Sequence, residues 1–167
     1  MIARLIGLAC LLALALPAAA QELSFDIRHT RACLDRAGAD AEGQRACIGT
    51  SANRCMDATP MGSTTVGMSG CIDRELQWWD ARLNAAYQRL MARERADDAQ
   101  FQGMASVPPK APALRDMQRA WIPFRDATCA YERSWWGGGT GGGPATLGCL
   151  LRMTAEQTLY LEKAGLE

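Results

Sequence analysis

The sequence contains little of the chemistry on which most enzymes depend. It has a single histidine, His29, among 167 residues, and no Gly-x-Ser-x-Gly sequence of the kind that holds a hydrolase nucleophile. We interpret His29 as an exposed side chain rather than as a metal ligand, because zinc sites need several converging nitrogen, sulfur or oxygen ligands. We therefore expect no catalytic residues, no metal and no cofactor, and we do not expect an enzyme.

An excess of charge of either sign is also absent. Lysine and arginine together number 18, and aspartate and glutamate together also number 18. Proteins that bind nucleic acid or anionic membrane surfaces usually carry a marked positive excess. The composition therefore gives no reason to expect either kind of partner.

Long hydrophobic runs are absent after residue 20, but one lies before it. Arg4 is the only charge in residues 1–20, Leu5 to Leu16 is an unbroken apolar stretch, and small residues end the segment at Ala20. This pattern predicts a secretory signal peptide, which is too short to span a bilayer as a mature helix. We place its cleavage after Ala20.

Residues 21–167 then form one exported domain, in the periplasm or outside the cell, with a side-chain charge of 17 − 18 = −1 after the loss of one arginine. Attachment of a lipid at Cys10 is the alternative. Gly7 stands where a lipid-attachment signal usually has leucine, so we favour cleavage by an ordinary signal peptidase.

Six cysteines remain in the mature chain, and an even number in an exported protein predicts three disulfides. Fifteen connectivities are formally possible. No Cys-x-x-Cys pair occurs, which argues against a zinc site. Pairing each cysteine with the next one across a turn gives Cys33–Cys47, Cys55–Cys71 and Cys129–Cys149.

Apolar residues recur every three or four positions in three segments, which predicts an all-α protein. A long helix over 66–95 has its stripe at Ile72, Leu76, Trp79, Leu83, Ala86 and Leu90. A second helix over 112–133 has its stripe at Leu114, Met117, Trp121, Phe124 and Thr128. A last helix over about 147–163 buries Leu150, Met153, Gln157 or Thr158, and Leu161.

We expect a small disulfide-linked bundle in which the first two of these helices are central and antiparallel, with the C-terminal helix against both. Residues 24–59 form short helical pieces before them, and Ser63 to Thr65 can cap the long helix. The charged residues Arg82, Arg89, Arg93, Glu94 and Arg95 are interpreted as a solvated face.

Polar side chains lie beside the apolar stripe of the long helix. Asp80, Asn84 and Tyr87 are spaced by four and three residues and share one strip of that helix. They form either a polar rim at the edge of the core or a buried polar network. Because Asp80 and Arg125 each lie one step from their helix's apolar stripe, we predict a charged contact between them.

A glycine-rich segment joins the last two predicted helices. It consists of Trp135, Trp136, Gly137, Gly138, Gly139, Thr140, Gly141, Gly142 and Gly143. No Gly-Lys-Ser/Thr follows, so it is not a phosphate-binding loop. It is either a flexible linker or a displayed contact loop held by its tryptophans and by a Cys129–Cys149 bond.

Several short motifs in this chain occur together and in a fixed order. They are Cys71, Glu75, Asp80, Leu83-Asn84 and Tyr87; then Gln118-Arg119-Ala120-Trp121-Ile122 with Phe124-Arg125-Asp126 and Cys129; and finally Cys149 with Leu151 to Thr154. Over residues 55–162 the chain resembles the LprI-like lysozyme-inhibitor family.

The resemblance implies a protein that binds and blocks a peptidoglycan-cleaving lysozyme, with Trp135, Trp136 and the glycine loop as our candidate contact. The alternative is a structural or interaction module of the cell envelope that inhibits no lysozyme. Gln157 stands where the family often has an arginine. If that arginine pairs with a core acid, we expect Arg152 or Arg125 to replace it here.

Overall fold

The computed structural model describes residues 22–104 and 106–165, and within them it contains six α-helices and no strand. Three short helices come first: α1 (Arg28–Ala37), α2 (Ala41–Ala46) and α3 (Thr50–Ala58). Three long ones follow: α4 (Thr65–Gln100), α5 (Lys110–Ser134) and α6 (Gly142–Ala164). The predicted all-α class is confirmed. The signal peptide predicted for residues 1–20 lies outside the described residues.

The three long helices pair along their lengths. Contacts from α4 to α6 advance in step along both helices, from Ser69 beside Gly143 to Arg82 bonded to Glu162, so these two helices run parallel. Contacts from α5 to α6 run in opposite order, and α5 is also antiparallel to α4. The predicted antiparallel arrangement of α4 and α5 is confirmed, but α6 makes the more extensive contact with α4.

Within the described residues the core consists of three clusters of buried side chains, two large ones and a small one of Cys129, Cys149 and Met153. Near the α4–α5 turn it is built from Leu83, Ala86, Leu90, Met91, Ala111, Leu114 and Leu161. Nearer the short helices it is built from Leu34, Cys47, Ala52, Trp79, Leu151 and Ala155. The stripe predicted for α4 is therefore the main core face. Helix α6 begins five residues earlier than predicted, and it buries Leu151 in place of Leu150.

All three disulfides join neighbouring cysteines in sequence, as we predicted. They are Cys33–Cys47, Cys55–Cys71 and Cys129–Cys149, with Cα atoms 5.5–5.6 Å apart. The first ties α1 to the end of α2, the second ties α3 to α4, and the third ties α5 to α6. Every helix is thus bonded covalently to another, which limits the freedom of the unfolded chain.

A buried carboxylate joins the short helices to α4. Glu75 is fully buried, and it accepts hydrogen bonds from the backbone N–H groups of Gly49 (2.9 Å) and Ala52 (2.7 Å) at the start of α3. The Thr30 hydroxyl (2.9 Å) and the Trp79 indole N–H (3.2 Å) donate to it as well. A carboxylate at a helix N-terminus satisfies donors that have no intrahelical partner and complements the helix dipole.

This arrangement corrects our expectation that an arginine would serve the core acid. Neither Arg125 nor Arg152 contacts Glu75, whose bonds come from hydroxyl, indole and backbone donors. Gln157, at the position of the family's arginine, instead donates to Gln118 at 3.0 Å. The substitution is therefore accommodated between α5 and α6.

Three residues that we assigned to a solvated face of α4, Arg82, Arg93 and Glu94, have other roles. Arg82 makes a two-pronged ion pair with Glu162 of α6, at 2.8 and 2.9 Å, while its guanidinium lies over Trp78 and Trp79. Glu94 is buried and pairs with neighbouring cations. The cations beside Glu94 are Arg93 on the same helix and Lys110 at the start of α5, and Arg93 also donates to the backbone carbonyls of Ala164 and Gly165 at the end of α6.

Candidate interaction surface

A groove separates the first half of α4 from the second half of α5. It has a volume of about 480 Å³ and is lined by Asp73, Leu76, Gln77, Asp80, Ala81, Asn84, Arg125 and Leu150. The two helices meet near the turn that joins them, where Leu90 and Met91 pack with Ala111 and Leu114. Farther from that turn, Arg125 of α5, Leu150 of α6 and polar residues of α4 line a shared opening.

Asp80 lies on this groove as an exposed residue. The Asn84 side-chain amide donates to its carboxylate at 3.2 Å and to its backbone carbonyl at 2.9 Å. Of the two alternatives for the strip of Asp80, Asn84 and Tyr87, the polar rim is correct. Tyr87 packs against the core at the edge of that rim.

The charged contact that we predicted between Asp80 and Arg125 is wrong. Both residues line the groove, but Arg125 bonds Asp126 on its own helix, at 2.9 Å from Nε and 2.8 Å from Nη2. Its guanidinium also lies 5.0 Å from the centre of the Trp121 ring, and Nη1 is 3.4 Å from the Thr154 hydroxyl. The partners of Arg125 therefore lie on α5 and α6 rather than on α4.

Phe124 is exposed, against our expectation that it belongs to the buried stripe of α5. Its exposed fraction is 62%, whereas Leu114 is buried and Met117 and Trp121 are partly buried against the core. The periodicity correctly gave the side of the helix on which Phe124 lies. It gave no sign that α4 covers that side only near the turn.

Other large aromatic residues continue this exposed region towards the end of α5. Tyr131 and Trp135 are 64% and 67% exposed, and their rings meet edge to face with centroids 5.3 Å apart. Tyr131 was absent from our candidate residues. Its spacing of seven residues from Phe124 is the signal that could have identified it.

The glycine-rich segment is an ordered turn rather than a long linker. Gly137 has a φ of 52°, a conformation that favours glycine, and backbone hydrogen bonds join Gly139 to Trp136 and Gly142 to Gly139. Trp136 packs so closely over Gly141 that a Cβ there would lie 2.4 Å from its ring. Gly142 and Gly143 already belong to α6.

The Cys129–Cys149 bond fixes the base of this turn. Both cysteines are buried beside Met153, and Arg152 of α6 bonds Glu132 of α5 at 2.8 Å on the same side. Within the turn, Trp135 and Trp136 remain 67% and 52% exposed. The tryptophans are thus displayed at one end of the bundle on a backbone that is closed covalently.

Residues 22–104 and 106–165 contain no group of three His, Cys, Asp or Glu side chains placed to hold a metal ion. His29 is exposed on α1. No helix within the same residues is long and apolar enough to cross a membrane.

Comparison with known proteins gives one family and two relatives. Residues 55–161 match the family described as lysozyme inhibitor LprI. An uncharacterized 17.7 kDa protein of Rhodobacter capsulatus is 32% identical over 170 residues, which cover 97% of this chain and 98% of that protein. An uncharacterized protein of Rhizobium meliloti is 31% identical over 94 residues, or 56% of this chain and 68% of that protein. No solved structure matches the chain.

Proposed function

This chain belongs to the LprI family of lysozyme inhibitors, and from that membership we propose that it binds a peptidoglycan-cleaving lysozyme and blocks its activity. Its three disulfides fit an oxidising compartment outside the cytoplasm, where lysozymes meet the cell wall. In this proposal the protein acts by occupying the enzyme, and it protects the wall without chemistry of its own.

The observation that carries the proposal, beyond family membership, is the pair of displayed tryptophans beside the glycine turn. Trp135 and Trp136 are both more than half exposed, at 67% and 52%. Tryptophan is enriched among the residues that dominate binding energy in protein interfaces. An exposed pair at the end of a rigid bundle is a favourable anchor for a protein partner.

The shape of this end suits a concave partner. A lysozyme presents a deep substrate cleft, and a blocker must send a narrow element into it. The backbone around Gly138 has no neighbour within 4 Å of an added Cβ, so the turn projects freely at that point. The Cys129–Cys149 bond holds both ends, which reduces the entropy that the turn loses on binding.

The test is inhibition of several lysozymes by the mature protein and by Trp135→Ala. Trp135 touches Tyr131 only by a ring edge, so the variant should keep the fold and its melting temperature. Loss of an anchoring tryptophan costs about 2 kcal/mol or more, which raises the inhibition constant about 30-fold. Tyr160→Ala is the matched control, because Tyr160 is 58% exposed on α6 and outside the proposed contact.

The outcomes separate the two functions considered for the sequence. Inhibition that is weakened by Trp135→Ala and unchanged by Tyr160→Ala supports the turn as the contact. Equal inhibition by both variants would move the contact to another surface. If the parent protein inhibits no lysozyme, the chain is a structural module of the envelope and the proposal is wrong.

A further inference from the structure

One side of α5 changes from buried to exposed along its length. Met117 packs against the core cluster that α4 dominates. Phe124, Tyr131 and Trp135 follow Met117 by 7, 14 and 18 residues, which are close to whole turns, so all lie on the same side of the helix. These three side chains are 62–67% exposed. This side of α5 therefore packs against the core near the α4–α5 turn, and it is exposed farther along the helix.

The groove beside Arg125, the residue that follows Phe124 on α5, carries negative charge. Asp73 and Asp80 both line it, and each accepts a hydrogen bond from a neutral amide: Gln77 at 2.7 Å and Asn84 at 3.2 Å. These amides donate hydrogen bonds to the aspartate oxygens, but because they are neutral they do not cancel the negative charge of the carboxylates. In residues 22–104 and 106–165 neither of these two carboxylates forms an ion pair.

The arginine that lines this groove is engaged by another carboxylate. Arg125 lines the groove, but its guanidinium is paired with Asp126 and lies over Trp121. Its charge is therefore balanced by a carboxylate on its own helix. With Arg125 and Asp126 cancelling each other, the groove retains the charge of Asp73 and Asp80.

We infer that this groove is a docking surface for a basic protein, which places cationic side chains at Asp73 and Asp80 and covers the exposed aromatic face of α5. Under the proposed function, on which this inference rests, the basic protein is a lysozyme of the basic class. The groove therefore carries negative charge, although the side chains of residues 21–167 together sum to only 17 − 18 = −1.

The geometry defines the pattern of charge that the partner must present. Asp73 and Asp80 are seven residues apart on one helix, which separates them by about 10 Å along its axis. One guanidinium or ammonium group cannot bridge that distance. The groove therefore takes two cationic groups of the partner, one at each carboxylate, with the partner's apolar surface against Phe124 and Tyr131.

A basic protein fits this surface better than an apolar one. An apolar ligand in the groove would remove water from two carboxylates and give no compensating interaction, which is costly. A cation at each carboxylate forms a charge-assisted hydrogen bond, and the aromatic face adds apolar area beside it. Electrostatic attraction would also raise the rate of association at low salt.

The test compares the mature parent protein with Asp73→Asn/Asp80→Asn. Both side chains lie in an open groove, and asparagine preserves their size, so the variant should fold. Asp35→Asn/Asp57→Asn is the matched control, because it removes the same charge from exposed positions on α1 and α3. The dissociation constant for a basic lysozyme is measured by calorimetry at low and at physiological ionic strength.

We expect the groove variant to bind about tenfold more weakly or worse at low salt, and to lose most of the salt dependence that the parent shows. The control should stay within about twofold of the parent, because its carboxylates do not line the groove. Equal affinities of the groove variant and the control would overturn the inference.

A second measurement keeps the groove testable if the parent binds no lysozyme, which would refute the proposed function alone. The peptide acetyl-Arg-Gly-Gly-Arg-amide is titrated into the labelled parent protein and followed by NMR. The side-chain amide signals of Gln77 and Asn84 should shift, and the shifts should disappear in Asp73→Asn/Asp80→Asn. Absent shifts, or shifts that the variant retains, would overturn the groove as a site for cations.

Sedimentation of the parent protein alone tests the other possible occupant. A monomer is expected. A dimer that the groove variant abolishes would mean that a second copy of this chain covers the face, which would also overturn the inference.

Discussion

Replacement of Glu75 is the perturbation whose consequence the structure defines most sharply. Its carboxylate is fully buried and accepts four hydrogen bonds from donors on α1, at the start of α3 and on α4 itself. Glu75→Ala would leave all four donors without this acceptor, inside a region that helices α1 and α3 close off. The short helices would lose their main polar connection to α4.

The magnitude follows from the cost of an unsatisfied buried donor, about 1–3 kcal/mol each. Relaxation and entry of water will satisfy some of these donors, so we expect a loss of about 4 kcal/mol in the free energy of unfolding. In a domain of this size that corresponds to a melting temperature lower by about 10 °C. Glu75→Gln keeps one oxygen but turns an amide N–H₂ towards a backbone N–H, and should cost about 2 kcal/mol.

The assay is urea unfolding of the oxidised protein, with the slope of the transition checked for each variant. Asp80→Ala is the matched control, since it removes an exposed carboxylate from the same helix and should change stability by less than about 0.5 kcal/mol. A Glu75→Ala protein within about 1 kcal/mol of the parent would refute the argument that these hydrogen bonds hold α3 on α4.

Two further predictions concern the contacts of α6. Replacing Cys129 and Cys149 together by serine should lower the free energy of unfolding by about 3 kcal/mol, because the bond closes a loop with a sequence separation of 20 residues. An unchanged midpoint of urea unfolding would contradict this prediction. A double-mutant cycle on Arg82 and Glu162 should give a coupling of about 1 kcal/mol, since the pair is two-pronged but partly solvated; zero coupling would show that the ion pair adds nothing.

The sequence was sufficient to predict the long helices and the antiparallel order of α4 and α5, but not that α6 packs most extensively on α4. The stripe from Ile72 to Leu90 marks one face of α4, and its phase alone requires partners on that side. The disulfides followed from the even number of cysteines and from the short loops between neighbours. Thr64 caps α4 by accepting from the Gly67 N–H at 3.1 Å, within the segment that we expected to cap it.

The periodicity of apolar residues could not predict contacts between residues that are far apart in sequence. The donors to Glu75 come from positions 23 to 45 residues away, apart from Trp79, and Arg82 meets Glu162 across 80 residues. A local pattern shows which side of a helix is apolar, but not which side chain lies opposite it. For this reason we predicted that Arg82 faces solvent and that Asp80 pairs with Arg125, and both predictions are wrong.

The exposure of Phe124 has the same origin. The predicted stripe lies on the correct side of α5. Whether a residue of that stripe is buried depends on how far along their lengths α4 and α5 remain in contact after the turn that joins them. That separation is a property of the three packed helices. It produces both the groove and the aromatic face, the two features on which the proposed docking of a basic protein depends.

The central claim is that this protein blocks a lysozyme by binding it. The most direct measurement is the rate at which a lysozyme clears a peptidoglycan suspension, with the oxidised mature protein titrated against a fixed amount of enzyme. For a lysozyme of the basic class, we expect activity to fall as the concentration of the inhibitor approaches that of the enzyme. Full activity at a large excess of folded protein, with every class of lysozyme tried, would contradict it.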